Sequence, residues 1–372
     1  MTSRSRITVR DIVGALEGEF PTQYAEEWDR VGLIVGGPAL AVTGVLVTLD
    51  ATAEAVDRAH DAGANLVITH HPPFLEMPDR IESGPGPAGT LTCALERSVA
   101  VASFHTSLDR APAGADALCH ALGLPIIEPL ERSSEKVAVV VTYAPEAAVG
   151  SVRAAMSAAG AGRVGAYEEC VFESPGTGRF VPRAGADPVV DDHGTGVSEV
   201  RIEMVASRAA VPGVLDAARS AHPYEEPVVV AIEALRARGT ARLGRLCSFD
   251  GGDVGALARQ VGDRLDVRPR IWGELTGPAS RIAVAGGAAG SLIGDALATA
   301  EVLVAGEVRY HDALDAVARG LAIIEVGHDA SEWPLVAVLA ETVRRYAGPD
   351  VPVIAETPRL AWQTLEDAHD RR

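Results

Sequence analysis

The sequence is almost devoid of lysine. Of 33 basic residues in a chain of 372, Lys136 is the only lysine. Mechanisms that depend on a catalytic lysine are therefore nearly excluded, because Lys136 stands alone among charged, surface-type neighbours. We interpret the excess of arginine as a consequence of genome composition rather than of function.

Cysteine and long apolar runs are also scarce. The four cysteines are far apart in the sequence, which excludes a zinc ribbon or a redox Cys-x-x-Cys motif and argues against a disulfide scaffold. No window approaches the roughly 20 apolar residues of a membrane helix, and residues 1–10 lack the apolar core of a signal peptide. We therefore expect a cytoplasmic protein.

Positive charge is in deficit. With 33 basic and 51 acidic residues, the formal net charge is −18, which argues against DNA or RNA as a partner. This negative net charge does not exclude a local basic pocket that binds one small anion. The chain is 47% hydrophobic and 23% charged, which is typical of a soluble globular protein, and its length suits two or three domains.

Predicted strands and helices alternate in the two terminal regions, 1–130 and 239–372. The predicted strands are 44–49, 65–69, 99–104, 281–285, 302–305, 321–326 and 351–355. The predicted helices are 8–17, 52–62, 88–97, 113–122, 254–264, 292–299, 310–319 and 330–346. Continuously apolar strands between helices predict an α/β fold with a largely parallel sheet that is covered on both faces.

The middle of the chain, 131–238, has a different pattern. Its predicted elements are a strand at 136–142, a helix at 145–158, a strand at 199–205, a helix at 209–221 and a strand at 228–234. The Gly/Pro-rich stretch 173–196 is expected to be a surface excursion, in the form of a hairpin with a loose tip. This order indicates a split β-α-β-β-α-β module inserted into the α/β chain.

Histidine follows three of the predicted apolar strands. His70 and His71 end one strand, His105 follows the next, and His328 follows a strand near the C-terminus. In parallel α/β sheets, functional groups gather outside the carboxyl ends of the strands. We therefore expect these four imidazoles to lie along one rim of the fold.

Carboxylates accompany these histidines. Asp109 follows His105 by four residues, and Glu332 follows His328 by four, one helical turn away. The side chains of consecutive His70 and His71 diverge in an extended strand, so two neighbouring ions suit them better than one. A single histidine after a strand is more often a loop or core residue, but the whole set favours a metal centre.

Four segments surround these residues: Ile68-Thr69-His70-His71-Pro72-Pro73-Phe74, Phe104-His105-Thr106-Ser107-Leu108-Asp109, Gly306-Glu307 with His311-Asp312-Ala313, and Val326-Gly327-His328-Asp329-Ala330-Ser331-Glu332. In this order they resemble the Nif-three-like dinuclear metal-centre family, whose members are also called GTP cyclohydrolase 1 type 2 homologues. The early Trp28-Asp29-Arg30-Val31-Gly32-Leu33 is similar to the family's usual Trp-Asp-Asn-Val-Gly-Leu, with Arg30 in place of Asn.

The resemblance implies a fold of two α/β regions around a dinuclear metal site, with an inserted ferredoxin-like (α+β) domain. It assigns one ion to His70, Asp109 and Glu332, and the other to His71, His328 and the bridging Glu332. It does not make His105 a usual metal ligand. Two roles are open for His105. It either contacts the substrate or a metal ligand, or it is an ordinary hydrogen-bonded histidine in a loop.

Five protein ligands leave coordination positions open, as in catalytic sites. Their nitrogen and oxygen donors favour two divalent ions per chain, zinc first, with manganese, iron, cobalt or nickel as alternatives. The resemblance implies a hydrolase for a nucleotide such as GTP, in which metal-bound hydroxide attacks the purine C8. The alternative is a non-enzymatic metal-binding or regulatory protein that senses metal or a small ligand through the inserted domain.

Glu307 and His311 are spaced i, i+4 at a predicted helix start. They are candidates for a proton-transfer pair, because metal-assisted hydrolysis needs a base that is not bound to metal. The alternative is a pair that orients a metal ligand. Arg309 is a candidate contact for an anionic substrate. Gly286-Gly287 with Gly290 indicates a tight strand-to-helix turn more than an anion-binding turn.

The segment Ala221-His222-Pro223-Tyr224-Glu225-Glu226-Pro227 resembles CutA-type and PII-like modules. Because Pro223 and Pro227 mark a fixed bend, a turn and trimer contact is favoured over a second metal site at His222, Glu225 and Glu226. The resemblance to the Nif-three-like family implies a hexamer built as a trimer of dimers, with the inserted domain contributing trimer contacts. The remaining histidines are expected at the surface: His60, His120, His193 and His369.

Overall fold

The computed structural model describes residues 6–132, 134–165, 167–190 and 196–358. These residues fall into two compact units. The described parts of Met1–Arg132 and Thr240–Arg372 form a discontinuous unit, and those of Ser133–Gly239 form a continuous one. His60 and His120 are exposed, whereas His193 and His369 lie outside the described residues.

The strands of the two units are, in chain order, β1 (Gly32–Val35), β2 (Val45–Asp50), β3 (Leu66–His71), β4 (Ala100–Ser103), β5 (Ile126–Pro129), β6 (Ser134–Ala144), β7 (Phe172–Gly178), β8 (Val197–Ser207), β9 (Val229–Ala237), β10 (Arg245–Ser248), β11 (Arg270–Trp272), β12 (Arg281–Ala288), β13 (Val302–Glu307), β14 (Ala322–Glu325) and β15 (Val353–Ala355). The α-helices are α1 (Val9–Glu19), α2 (Ala53–Asp61), α3 (Pro87–Arg97), α4 (Thr106–Arg110), α5 (Pro112–Leu122), α6 (Val149–Ala158), α7 (Val211–Ala221), α8 (Val254–Leu265), α9 (Ile293–Thr299), α10 (Tyr310–Ala318) and α11 (His328–Ala347).

The first sheet of the discontinuous unit has the order β1-β4-β3-β2-β15. Its strands are parallel except for β1, which pairs antiparallel with β4 at one edge. One face buries Leu66 and Ile68 against Leu339 of α11. The other face buries Val67 against Val56 of α2. The sheet is therefore largely parallel and covered on both faces, as the apolar strands predict.

The second sheet has the order β11-β14-β13-β12-β10-β5. Only its centre, β12 to β14, is parallel, and the flanking strands β11, β10 and β5 are antiparallel. The expectation of a largely parallel sheet is wrong here. The edge strands β5 and β11 are short and half-exposed, so they carry no continuous apolar run that could reveal them in the sequence.

The two terminal regions of the chain exchange strands. β15, from the C-terminal region, pairs with β2 in the first sheet, and β5, from the N-terminal region, pairs with β10 in the second. Helix α11 contacts strands of both sheets. These two strand pairings, together with the core, hold the two terminal regions of the chain in one unit.

The continuous unit has one antiparallel sheet in the order β7-β8-β6-β9. Helices α6 and α7 bury Met156 and Val214 against Val140 and Ile202 on one face of it. The segment expected to be a surface excursion begins as strand β7, which pairs along its length with β8, and residues 191–195 at its far end lie outside the described residues.

None of the described helices has the length and apolarity needed to cross a lipid bilayer.

Candidate metal centre

Neighbouring strand ends bring the predicted ligands together. β3 and β4 are parallel, with Thr69 opposite Ser103, so both strands end at the same edge of the first sheet. His70 and His71 end β3, and His105 follows β4 and precedes α4, which carries Asp109. The first turn of α11 supplies the remaining two groups, His328 and Glu332.

The Glu332 carboxylate lies at the centre of this group and is almost fully buried. Its Oε1 is 3.6 Å from Nε2 of His70, which is also 3.6 Å from Oδ1 of Asp109. Its Oε2 is 3.0 Å from Nε2 of His71 and 3.2 Å from Nε2 of His328. The two oxygens of Glu332 thus face two different groups of donors.

The Nδ1 atom of each of the four imidazoles makes a hydrogen bond to a group at the periphery of the cluster. His70 donates to the carbonyl oxygen of Phe104 (3.0 Å), His71 to Asp50 (2.8 Å), His105 to Asp29 (2.9 Å) and His328 to Glu307 (3.1 Å). Histidines that bind metal in proteins are held in this way, which fixes the ring and leaves Nε2 as the ligand atom.

The residues fit divalent metal ions. His70 Nε2 is buried and makes no hydrogen bond, and the buried Glu332 Oε2 faces the Nε2 atoms of His71 and His328, which carry lone pairs when the rings are neutral. Lone pairs that converge in this way are costly unless a cation or protons lie between them. Donors bonded to a tetrahedral zinc ion at about 2.0–2.1 Å lie roughly 3.3–3.4 Å from one another. The measured separations of 3.0–3.6 Å bracket this value. The ligand atoms lie within 4.8 Å of one another in three groups: His70–Asp109–Glu332, His71–His328–Glu332 and His70–His71–His105.

Neighbouring carboxylates raise the pKa values of His71 and His328 in the absence of metal. Burial lowers the pKa of His71, but the carboxylates of Asp50 and Glu332 outweigh burial and raise this pKa to about 10. Glu332 raises the pKa of His328 to about 9 against the effect of burial. Burial raises the pKa of Glu332, but the surrounding imidazoles bring it well below its usual value. Protons and metal ions therefore compete for these nitrogens.

Two glycines leave space for Glu332 and for Ser331, the residue before it. Gly287 has φ +59°, and a Cβ atom there would lie 2.3 Å from Oε1 of Glu332. A Cβ atom on Gly306 would lie 2.5 Å from Oγ of Ser331. The Gly287 amide donates to this Ser331 hydroxyl, which donates to the carbonyl oxygen of His328. The expected tight turn after the strand is wrong, because Gly286 and Gly287 lie inside β12, where the register with β13 shifts between Ala285 and Ala288.

The structure separates Glu307 from His311. Glu307 ends β13 and accepts from His328, whereas His311 lies in the exposed first turn of α10, in ring contact with Tyr310. Glu307 and His311 do not lie one turn apart on a helix, as expected, because Glu307 ends β13 and precedes α10. Within the described residues His311 makes no hydrogen bond with Glu307, so the geometry suits the alternative in which Glu307 orients His328.

Asp29 and Asp50 are contacts that the sequence reasoning missed. Asp29 is fully buried, and one of its oxygens accepts from His105 while the other accepts from both the amide and the hydroxyl of Thr106. These hydrogen bonds overcome the effect of burial and lower the pKa of Asp29 to about 2. Asp50 directly follows the predicted strand 44–49, so the strand-end rule could have found it.

The histidine of the CutA-like segment is not available to a metal. His222 Nε2 donates to the carbonyl oxygen of Tyr143 (2.8 Å), and its Nδ1 accepts from the amide of Tyr224 (3.1 Å). Glu225 accepts from the amide of Asp187. These contacts agree with the expected turn rather than with a second metal site.

A cavity of about 510 Å³ opens onto the cluster. His71, Asp109, His328 and Glu332 line it together with Trp28 and with apolar side chains of α5, β12 and α11. The Trp28 ring is 54% exposed and stands edge-on to His105, with 5.8 Å between ring centroids. The donor atoms therefore face a pocket of small-molecule size.

A family model described as Duf34/NIF3 (NGG1p interacting factor 3) matches residues 7–357. The chain belongs to the Duf34/NIF3 family. A Mycobacterium leprae protein named GTP cyclohydrolase 1 type 2 homolog is 35% identical, over 91% of this chain and 90% of its own length. A Bacillus subtilis protein of the same name is 34% identical, over 87% and 88%.

Crystal structures of two family-like proteins show the same architecture. A Bacillus cereus protein related to NIF3 superposes with a TM-score of 0.65 and 30% identity, covering 97% of this chain and 99% of its own. A Staphylococcus aureus protein superposes with a TM-score of 0.70 and 27% identity over the same shares. The α/β fold of this NIF3 chain is therefore that of its structural relatives.

Proposed function

We propose that this NIF3 protein holds two divalent metal ions and is a metal-dependent hydrolase. His70, Asp109 and Glu332 would hold one ion, and His71, His328 and Glu332 the other. The observation that carries the proposal is the buried His70 Nε2, which makes no hydrogen bond, together with the convergence of oriented imidazole Nε2 atoms on the buried Glu332 carboxylate. Zinc suits these donors best, and manganese, iron, cobalt and nickel are alternatives.

The chain's own residues have separate roles in this proposal. When bound, the two ions would activate water and polarise a substrate oxygen. Asp50 and Glu307 hold the rings of His71 and His328, so that both Nε2 atoms face Glu332. Five ligands leave coordination positions free for water and substrate, which distinguishes a catalytic from a structural site.

His105 is the best candidate for moving a proton. It stands outside the two ligand groups that share Glu332, and its ring centroid is 5.1 Å from that of His70. Because Asp29 accepts the Nδ1 proton, Nε2 of the neutral ring is left without a proton and can accept one. We propose that His105 acts as general base and acid in the cavity, in place of the expected Glu307–His311 pair.

The names of the relatives suggest the substrate. Proteins at 34–35% identity are called GTP cyclohydrolase 1 type 2 homologs, so hydrolysis of a purine ring is the reaction to test first. A protein that binds both ions and hydrolyses no purine compound would instead be a metal-binding or regulatory protein.

Elemental analysis of purified, metal-replete protein tests the metal proposal. We expect two ions per chain in the wild type, fewer than one in Glu332→Ala, and about one in His70→Ala. His311→Ala is the matched control, because it removes an exposed histidine outside the cluster and should retain two ions. Less than one ion per wild-type chain, unchanged in His70→Ala and Glu332→Ala, would contradict the proposal.

We propose, as a second point, that 131–238 is an inserted ferredoxin-like domain of the CutA/PII type between α/β regions 1–130 and 239–372. The strand order β7-β8-β6-β9, with two helices on one face, supports this. The sequence resemblance implies that this domain builds a hexamer from a trimer of dimers. Light scattering should give six chains for the full protein, and a monomeric mass would contradict this assembly.

A further inference from the structure

We propose that the cavity takes an uncharged, flat nitrogen heterocycle, as the free base or its nucleoside, and discriminates against the triphosphate. This inference rests on the hydrolase proposal and narrows its substrate class. It follows from the charges around the cluster and from the apolar wall of the cavity.

The cavity has no basic side chain to receive phosphates. No arginine or lysine stands among the described residues that line it, whereas Glu26, Asp109 and Glu332 do. Phosphate groups in proteins are usually held by arginine, by lysine or by a cluster of backbone amides at a helix N-terminus. The amide of Gly287, in the glycine-rich part of β12, donates to Ser331.

Carboxylates also outweigh the charge that metal ions would bring. Five carboxylates each lie within 3.6 Å of an imidazole nitrogen of the cluster: Asp29, Asp50, Asp109, Glu307 and Glu332. Within the described residues none of the five forms an ion pair with an arginine or lysine. Two divalent ions supply +4, so the loaded centre keeps a negative balance before any substrate arrives. A triphosphate would be repelled by this field.

The arginines near the cavity are engaged elsewhere. Arg110 is buried and its guanidinium binds Glu26 (2.7 Å) and Glu131 (3.1 Å). Arg309 pairs with Asp312 on the exposed side of α10. Arg242 and Arg245, beside the lining residues Leu243 and Gly244, donate to backbone carbonyl oxygens, and Arg245 also pairs with Asp116. Arg30 is exposed, and its Nε donates to the carbonyl oxygen of the lining residue Leu75, so Arg30 serves as a control for contact with phosphate.

The apolar part of the cavity lining suits a flat ring. Among the lining residues, Trp28 is 54% exposed and Leu75 is 46% exposed. Further apolar lining comes from Leu118, Leu243, Leu292 and Leu335. An exposed indole beside polar donor atoms is a stacking surface for a heterocycle whose edge reaches the metal centre.

Titration calorimetry of metal-loaded protein with guanosine, guanosine monophosphate and GTP tests this inference at one buffered free-metal concentration. We expect guanosine to bind at least tenfold more tightly than GTP, with the monophosphate between them. Trp28→Ala should weaken guanosine binding by roughly 5- to 100-fold with two ions retained, and Trp28→Phe should restore most of it. Arg30→Gln should leave guanosine affinity unchanged.

Three results would overturn the inference. These are tighter binding of GTP than of guanosine, an unchanged guanosine affinity in Trp28→Ala, or no binding of guanosine to protein that carries two ions. The metal content of the same samples separates this failure from that of the hydrolase proposal. Wild-type protein without ions contradicts the metal site itself, whereas loaded protein that prefers GTP contradicts only the substrate class.

Discussion

The affinity of the centre for metal should rise steeply with pH. The ion held by His71 and His328 needs both imidazoles neutral. Without metal, nearby carboxylates raise the pKa of His71 to about 10 and that of His328 to about 9. Glu332 binds no proton near neutral pH, since its pKa is lowered. An increase in pH from 6.5 to 8 therefore lowers the concentration of the competing proton without changing the ligands.

The size of the effect follows from these values. At pH 7 a group with a pKa of about 9 is roughly 99% protonated, so the ion displaces about two protons from His71 and His328 together. Each displaced proton makes the apparent affinity rise about tenfold per pH unit, which gives about 100-fold per unit for two. The slope should decrease above about pH 9, where the metal-free His328 loses its proton.

Calorimetry of zinc binding in two buffers of different ionisation enthalpy counts the released protons. Competition with a zinc-binding dye between pH 6.5 and 8 gives the slope of affinity against pH. His328→Gln should reduce the slope by about one proton, and His311→Ala should leave it unchanged. A wild-type slope below one proton would refute the assignment of His71 and His328 to a common ion.

Three further outcomes are expected. Asp50→Asn should weaken binding of the ion at His71 by roughly 10- to 100-fold in dye competition, because the ring loses a charged hydrogen-bond acceptor; an unchanged affinity would contradict this role. Gly287→Ala should reduce the metal content, because its Cβ atom would displace Glu332, while the circular dichroism spectrum stays that of the wild type. Retention of two ions would contradict this packing argument. Chelated protein should be most stable near pH 6.5 and lose stability as pH rises toward 10, because the raised pKa of His71 favours the folded state only while the ring is protonated; a melting temperature that rises over this range would show the opposite sign.

The ligand set could be predicted from the sequence because its residues obey simple placement rules. His70, His71 and His105 follow continuously apolar strands, and parallel strands of one sheet end at one edge. His328 and Glu332 lie one turn apart on α11, which starts at His328 rather than at the expected residue 330. The resemblance to the family added the expected division of these residues between two ions.

The contacts around the ligands were harder to predict. Asp29 lies in a loop without strand or helix periodicity, and only the fold brings it to His105 from 76 positions away. Phe104 contributes a backbone carbonyl, which no side-chain pattern reveals. The Glu307–His311 expectation failed because helix spacing was applied to a residue that ends a strand.

The edges of the sheets were missed for a related reason. β1, β5, β10 and β11 have three or four residues each and pair antiparallel at or near an edge. Such short strands form because a neighbouring strand pairs with them, and the hydrophobic pattern of their own residues does not predict them. The long central strands, which bury both faces, were predicted to within a few residues.

The central claim is that Glu332 lies between two metal ions. Anomalous diffraction at the zinc absorption edge, from crystals of the zinc-loaded protein, tests it most directly. We predict two peaks per chain, one beside His70 and Asp109 and one beside His71 and His328, with the Glu332 carboxylate in contact with both. A single peak, or peaks away from Glu332, would contradict the account.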